Sequence, residues 1–415
     1  MQESAYAAQC SDAEATHTPA AASRRAKGLT LLSLAFGTFA IGTGEFGTNG
    51  IIELYAAEFD ASIPLATWAV SAYALGVVIG SPLITVAAAR LNRKTLLLGL
   101  IVIFLIGNVA SALAPSIELL VAARFVTGTV QGAYFGAGAV VAAYTYGPGR
   151  GGQAFATVMA GLTIATIFGS PAGTLLGQMV GWQWLYLVVA ALGLLAGLAI
   201  LFFVPNTRDL AGGTVTAELR ALVKPMVWVI FTIAALGISS IFAVYTFIAP
   251  IVTSAANAAP AVVPLALGVF GVGMAVGNAV GGRIADRYAT RGLVLGYSLV
   301  SIFLVIVALG GAAMPILFVG LFGVGASAMM AIPTIQTLLS RFAPEAPTLV
   351  GALNLAALNL ANALGAAGGA IAISAGFGYL ATSWAGLILV ALGLVVFSLT
   401  TPNAVRALEH SNQAL

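Results

Sequence analysis

The sequence predicts an all-α membrane protein, with twelve transmembrane helices arranged as two pseudo-symmetric six-helix bundles. Three observations carry this reading. Of 415 residues, 60% are hydrophobic and only 7% are charged, whereas a soluble domain holds roughly 25% charged residues. The apolar windows are each about 20 residues or longer, which suits helices that cross a bilayer and is too long for barrel strands. The Lys and Arg residues fall in alternate loops, a pattern that needs an even number of spans.

Taken in order, the head (residues 1–28) is polar, contains acids and lacks the apolar core of a secretory signal, so it reads as a disordered cytoplasmic tail. Apolar windows between charge and Pro/Gly breaks place helices near 29–55, 64–89, 95–114, 118–144, 153–180 and 183–204. These form the first bundle, 29–205. The longest polar break, 206–224, is a central cytoplasmic loop. Six more helices follow near 225–253, 261–285, 292–312, 314–340, 347–375 and 379–401, forming the second bundle, 225–401. A short cytoplasmic tail, 402–415, ends the chain.

With the N-terminus inside, every Lys and Arg except Arg124 falls on the cytoplasmic side, and Glu53, Glu58, Asp60 and Glu118 fall on the outer side. The segments TVAAARLNRK after helix 2 and GGRIADRYATR after helix 8 occupy equivalent places in the two halves, which suggests a duplicated six-helix unit.

Composition also excludes function classes. The pI near 9.1 comes with a net charge of +3 spread over several loops, so no basic patch for nucleic acid exists. Cys10 is the only cysteine, and His17 and His410 lie in the tails, leaving no thiolate or His set for a metal or for catalysis inside the membrane. No Walker lysine loop or nucleotide fold occurs, so energy must come from an ion gradient. The expectation is a non-enzyme with neither cofactor nor metal. Its partners are protons, a small-molecule substrate and the lipid bilayer, and it acts as a monomer.

The chain resembles the major facilitator superfamily, and within it the bacterial drug/proton antiporters, including chloramphenicol-resistance, multidrug and sugar-efflux permeases. After helix 8, Gly282, Asp286, Arg287 and Arg291 match the family's G-x-L-A-D-R-x-G-R-[RK] pattern, while after helix 2 it survives as Arg90, Arg93 and Lys94, with Ala89 in place of the acid. In helix 4, ARFVTGTVQG resembles the family's R-x-x-x-G element and places Arg124 and Gly128. In helix 5, GLTIATIFGSPAG resembles the antiporter signature through Gly161, Gly169, Pro171 and Gly173. The resemblance implies a cytoplasmic gate at the two loop motifs. It also implies a proton-coupled exporter of small hydrophobic or amphipathic compounds, working by alternating access in a bacterial cytoplasmic (inner) membrane. Sugar or nucleoside efflux is the alternative, and a transporter-like ligand sensor is a reading from a different class.

The same residues are read from physics. The stretch GTGEFGTNG sets Glu45 in an otherwise apolar or small run, and an ionised side chain at the bilayer centre costs on the order of 3 kcal/mol on the insertion scale. Helical spacing gathers Glu45, Asn49 and Glu53 on one face of helix 1, and Arg124, Gln131 and Phe135 on one face of helix 4. Glu45 is expected to carry the proton with Arg124 beside it; the opposing reading is a fixed salt bridge that only joins helices 1 and 4. Glu53 is a second possible partner of Arg124. Tyr73, Tyr134, Phe135, Phe242 and Tyr245, with Asn49, Gln131 and Asn354, are the expected lining of a substrate cavity.

Overall fold

The computed structural model describes residues 24–88, 91–147, 151–206, 223–288, 290–343 and 347–413. Among them lie twelve helices long and apolar enough to cross a membrane. In the first half these are α1 (Arg25–Gly50), α2 (Ile63–Ser81), α3 (Arg93–Ala112), α4 (Ile117–Tyr146), α5 (Ala156–Val180) and α6 (Gln183–Phe203). In the second they are α7 (Pro225–Tyr245), α8 (Pro260–Ala285), α9 (Arg291–Gly310), α10 (Met314–Phe342), α11 (Leu353–Ser374) and α12 (Ala381–Thr401). An even number of spans puts the start of α1, the end of α12 and the facing ends of α6 and α7 on one face, termed here the terminal face; the other is the distal face. Past Thr401 the backbone remains helical to Gln413, where the sequence suggested a tail.

The two halves are built on one plan. In the first, α1 packs on α5 and α6, α3 on α4 and α6, and α2 on α4; in the second, α7 packs on α11 and α12, α9 on α10 and α12, and α8 on α10. Between halves, α2 meets α11 and α5 meets α8, which are again equivalent pairs. Lipid supplies no hydrophobic drive between helices, so close approach comes from small residues. At the α2–α4 crossing a Cβ on Gly128 would collide with the Tyr73 carbonyl, and one on Gly76 with the Phe125 carbonyl. The α8–α10 crossing uses Gly273, Gly277 and Gly281 against the backbone of Phe322, Ala326 and Met330 in the same way.

Several spans are interrupted, and in matching positions. The helix of α1 ends at Gly50 and resumes as Ile52–Glu58; its counterpart α7 ends at Tyr245 and resumes at Ile248. α4 breaks at Thr129 and Val130, and its counterpart α10 at Met330 and Ala331. Backbone groups freed in a membrane interior need partners. At the α4 break Ser81 of α2 provides them: its hydroxyl donates to the Thr129 carbonyl (3.2 Å) and accepts from the Gly132 N–H (3.0 Å). In α5, Pro171 cannot donate to the preceding turn, and residues Ala165–Gly169 just before it widen into a π-helical turn.

Candidate functional site

Matched interruptions in two repeated halves mark a candidate functional site, because irregular backbone at membrane depth is tolerated only where it lines a protein interior or cavity. The breaks of α1 and α4 flank Glu45 and Arg124. Glu45 is 5% exposed and Arg124 is fully buried. Gln131, one position past the α4 break, donates from Nε2 to Glu45 Oε2 at 2.7 Å. Arg124, before that break, donates from Nη2 to the Gly44 carbonyl at 3.0 Å. Its guanidinium lies 4.4 Å from the Tyr73 ring centre and 5.3 Å from that of Tyr186.

Among the described residues Arg124 makes no ion pair, and its Nε and Nη1 have no hydrogen-bond partner. The fixed Glu45–Arg124 salt bridge of the opposing reading is therefore not made in this conformation. Two aromatic faces take its place, and a desolvated cation over such rings gains about 2 kcal/mol or more. The buried oxygens Asn49 Oδ1, Gln131 Oε1 and Tyr73 Oη are also unpartnered, so polar capacity is concentrated around the acid.

Glu53 is not a partner of Arg124 either. It lies in the short helix beyond α1, half-buried, and accepts a hydrogen bond from the Thr253 hydroxyl at 2.7 Å, across the two halves. Burial pushes its carboxyl above the usual range, and the Thr253 hydroxyl draws it part of the way back. Other contacts close the same face: Gln178 Nε2 donates to the Pro260 carbonyl (2.8 Å), and Ser170 bonds Tyr245 (3.0 Å) while donating to the Phe46 carbonyl (3.0 Å).

On the terminal side of this seal, between the halves, is a cavity of about 190 Å³. Of the residues expected to line it, Phe242 and Asn354 do. The others lie elsewhere: Tyr73 is stacked on Arg124, Gln131 bonds Glu45, Asn49 donates to its own helix at Phe46, Tyr245 bonds Ser170, Tyr134 donates to the Leu34 carbonyl, and Phe135 packs in the first-half core. Phe46, Leu162, Thr166, Met274 and Asn278 line it as well, and went unnoticed in the sequence because apolar helices give no rotational reference.

Of the gate residues, Arg93 is buried at the start of α3, Lys94 is half-buried and Arg291 is exposed; the Gly282 Cα faces open space. Arg90 lies outside the described residues, as do the side chains of Asp286 and Arg287. In the antiporter motif, Gly161 seats α5 against the α1 backbone at Ala35 and Phe39, Gly169 meets Thr43, and Gly173 meets Leu185 of α6. Pro171 is at the α5–α8 seam, where a Cβ on Gly268 would approach it to 3.6 Å.

Fold and site together define a multi-pass membrane transporter of two repeated bundles around a central cavity. Residues 34–254 match the family model of the Major Facilitator Superfamily. The chain is 39% identical over 373 residues to the inner membrane transport protein YdhP of Escherichia coli K12, spanning 88% of this chain and 94% of that protein. It is 31% identical over 372 residues to the chloramphenicol resistance protein of Streptomyces lividans, spanning 89% and 95%. The chain therefore belongs to the Major Facilitator Superfamily, whose members are transporters and not enzymes. Its fold also matches the crystal structure of a bacterial homologue of the human lysosomal transporter Spinster in an inward-facing, unoccupied conformation, with TM-score 0.73, 15% identity and coverage of 91% and 97%.

Proposed function

We propose that this protein exports small amphipathic compounds in exchange for protons by alternating access across a bacterial cytoplasmic membrane, acting as a monomer. The observation that carries the reading is the buried Glu45, bonded to Gln131 and set beside an arginine with unused donors. A carboxyl whose surroundings offer two alternative partners, one neutral and one cationic, has a means of changing its proton occupancy when the helices shift. The α4 break between Arg124 and Gln131 supplies a hinge for that shift.

The terminal face is taken as cytoplasmic from the Lys and Arg distribution. On that assignment the conformation is inward-facing, with Glu53 and Thr253 holding the outer side shut. Export, rather than import, is supported by the antiporter-like glycines of α5 and by the name of the chloramphenicol resistance relative. Sugar or nucleoside efflux is the second reading, favoured by the two carboxamides on the cavity wall, Asn278 and Asn354. A compound panel assayed in proteoliposomes, with and without an imposed pH difference, tests the proposal. Gradient-dependent accumulation of a neutral amphiphile supports it; gradient-independent movement of every compound contradicts it.

A further inference from the structure

We infer that the central cavity is built for an uncharged molecule bearing a hydroxyl or amide donor, and that Asn354, oriented by Gln336, is the side chain that reads it. This rests on the export reading above and narrows its substrate class. Among the described residues, no Asp, Glu, Lys, Arg or His side chain lines the cavity. Glu45 is not part of the wall: it is 5% exposed, with Oε2 engaged by Gln131. A charged ligand placed against this mostly apolar wall would give up part of its hydration and meet no counter-charge, which is costly.

The wall has two characters. Phe46, Leu162, Phe242 and Met274 are apolar, while Asn278 of α8 and Asn354 of α11 present carboxamides. Of the two threonines on the wall, Thr166 adds little to recognition because it is buried and its hydroxyl donates to the Thr163 carbonyl at 2.8 Å, and Thr163 is exposed with no described partner to orient its hydroxyl. Asn354 is different. Its Nδ2 donates to Gln336 Oε1 at 2.8 Å, and Gln336, on α10, is not itself on the wall. That bond fixes the amide plane, engages one N–H and leaves Oδ1 as an acceptor toward a ligand O–H or N–H. Gln336 is a positioning residue and Asn354 the contact.

The test is equilibrium binding to the purified full-length protein without any gradient, using size-matched neutral, cationic and anionic aromatic probes. Chloramphenicol serves as a neutral amide with hydroxyls and tetraphenylphosphonium as a cation. Wild type is expected to bind the neutral probes at least tenfold more tightly than either charged set. Asn354→Leu should weaken chloramphenicol at least tenfold, and Gln336→Leu several-fold. Asn354→Asp should raise the affinity for tetraphenylphosphonium, an outcome that a purely structural Asn354 would not give. Thermal unfolding checks that each variant is folded.

Tetraphenylphosphonium binding as tightly as the neutral probes, no neutral probe binding at all, or wild-type affinity in folded Asn354→Leu would each overturn the inference. Because no proton gradient enters, failure of proton coupling leaves this result unaffected, and the two ideas fall separately.

Discussion

Thr253→Val removes the hydroxyl that makes the one side-chain hydrogen bond of Glu53 among the described residues, at 2.7 Å between the two halves, and keeps the shape of the side chain. A hydrogen bond to an ionised group contributes about 1.5–3 kcal/mol when buried. Both partners are half-buried, so the lower end, about 1–1.5 kcal/mol, is the appropriate figure. Since about 1.4 kcal/mol is a factor of ten, the ratio of distally closed to distally open protein should fall about five- to tenfold. Spin labels at Leu113 and Leu309, exposed residues at the distal ends of the equivalent helices α3 and α9, would report this as a shift toward longer distances. Replacing Cys10, the single native cysteine, leaves only those two sites for labelling.

Thr253→Ser, which restores the hydroxyl, should behave as wild type. The same latch has a defined pH sign. Burial raises the Glu53 carboxyl in the closed state, and opening to water returns it to its ordinary range, so the closed state binds the proton more tightly. The buried Glu53 carboxyl therefore favours closure fully in acid, and that contribution is lost as pH rises through the raised value, with the Thr253 bond offsetting part of the loss because it favours the ionised form. Among the described residues, Tyr379 is a titratable neighbour that senses this charge. Glu53→Gln should flatten the dependence. Distance populations within twofold of wild type in Thr253→Val, or greater closure on alkalinisation, would refute the reasoning.

Further expectations follow from other contacts. Arg124→Lys keeps the charge but loses the planar fork over Tyr73 and Tyr186 and the bond to Gly44, so coupled transport should fall at least tenfold while the protein still inserts, measured by flux per folded molecule. Ser81→Ala leaves the Thr129 carbonyl and Gly132 N–H at the α4 break without this partner, at a cost of about 1–3 kcal/mol, seen as a lower Tm in detergent. Gly128→Ala forces a methyl into the Tyr73 carbonyl and should lower Tm or yield by a comparable amount. Asp286→Ala should depress turnover strongly and Ala89→Asp should change it less, since only the second half keeps the acid of the gate motif.

The helices were legible because a bilayer demands about 20 apolar residues per crossing, and every break between them carries charge, Pro or Gly. Glu45 and Arg124 stood out for the same reason: a charge inside such a run needs explaining. What the sequence concealed was rotation about each helix axis and the interruptions along it. Ile51, Thr129, Val130, Thr246, Phe247, Met330 and Ala331 are ordinary apolar or small residues, and the Gly50, Gly128 and Pro333 beside them do not stand out in a chain with 49 glycines and 16 prolines. The α4 break separates Arg124 from Gln131, so an unbroken-helix pattern grouped on one face two residues of which one bonds Glu45 and the other lies between two rings. Tyr134 and Phe135 share the stretch that carries Gln131 yet pack against α1 and the core. The matched breaks of the second half became readable only once the two bundles could be compared.

The most direct test of the account is driven accumulation by Glu45→Gln. In proteoliposomes under an imposed pH difference, wild type should concentrate a neutral substrate against its gradient. Glu45→Gln keeps the shape and remains able to bond Gln131 but cannot ionise, so it should bind the same substrate and equilibrate it without concentrating it. Glu53→Gln, the control, should retain part of the driven accumulation. If Glu45→Gln concentrates substrate to the wild-type level under the same pH difference, Glu45 is a structural residue and the proton is carried elsewhere.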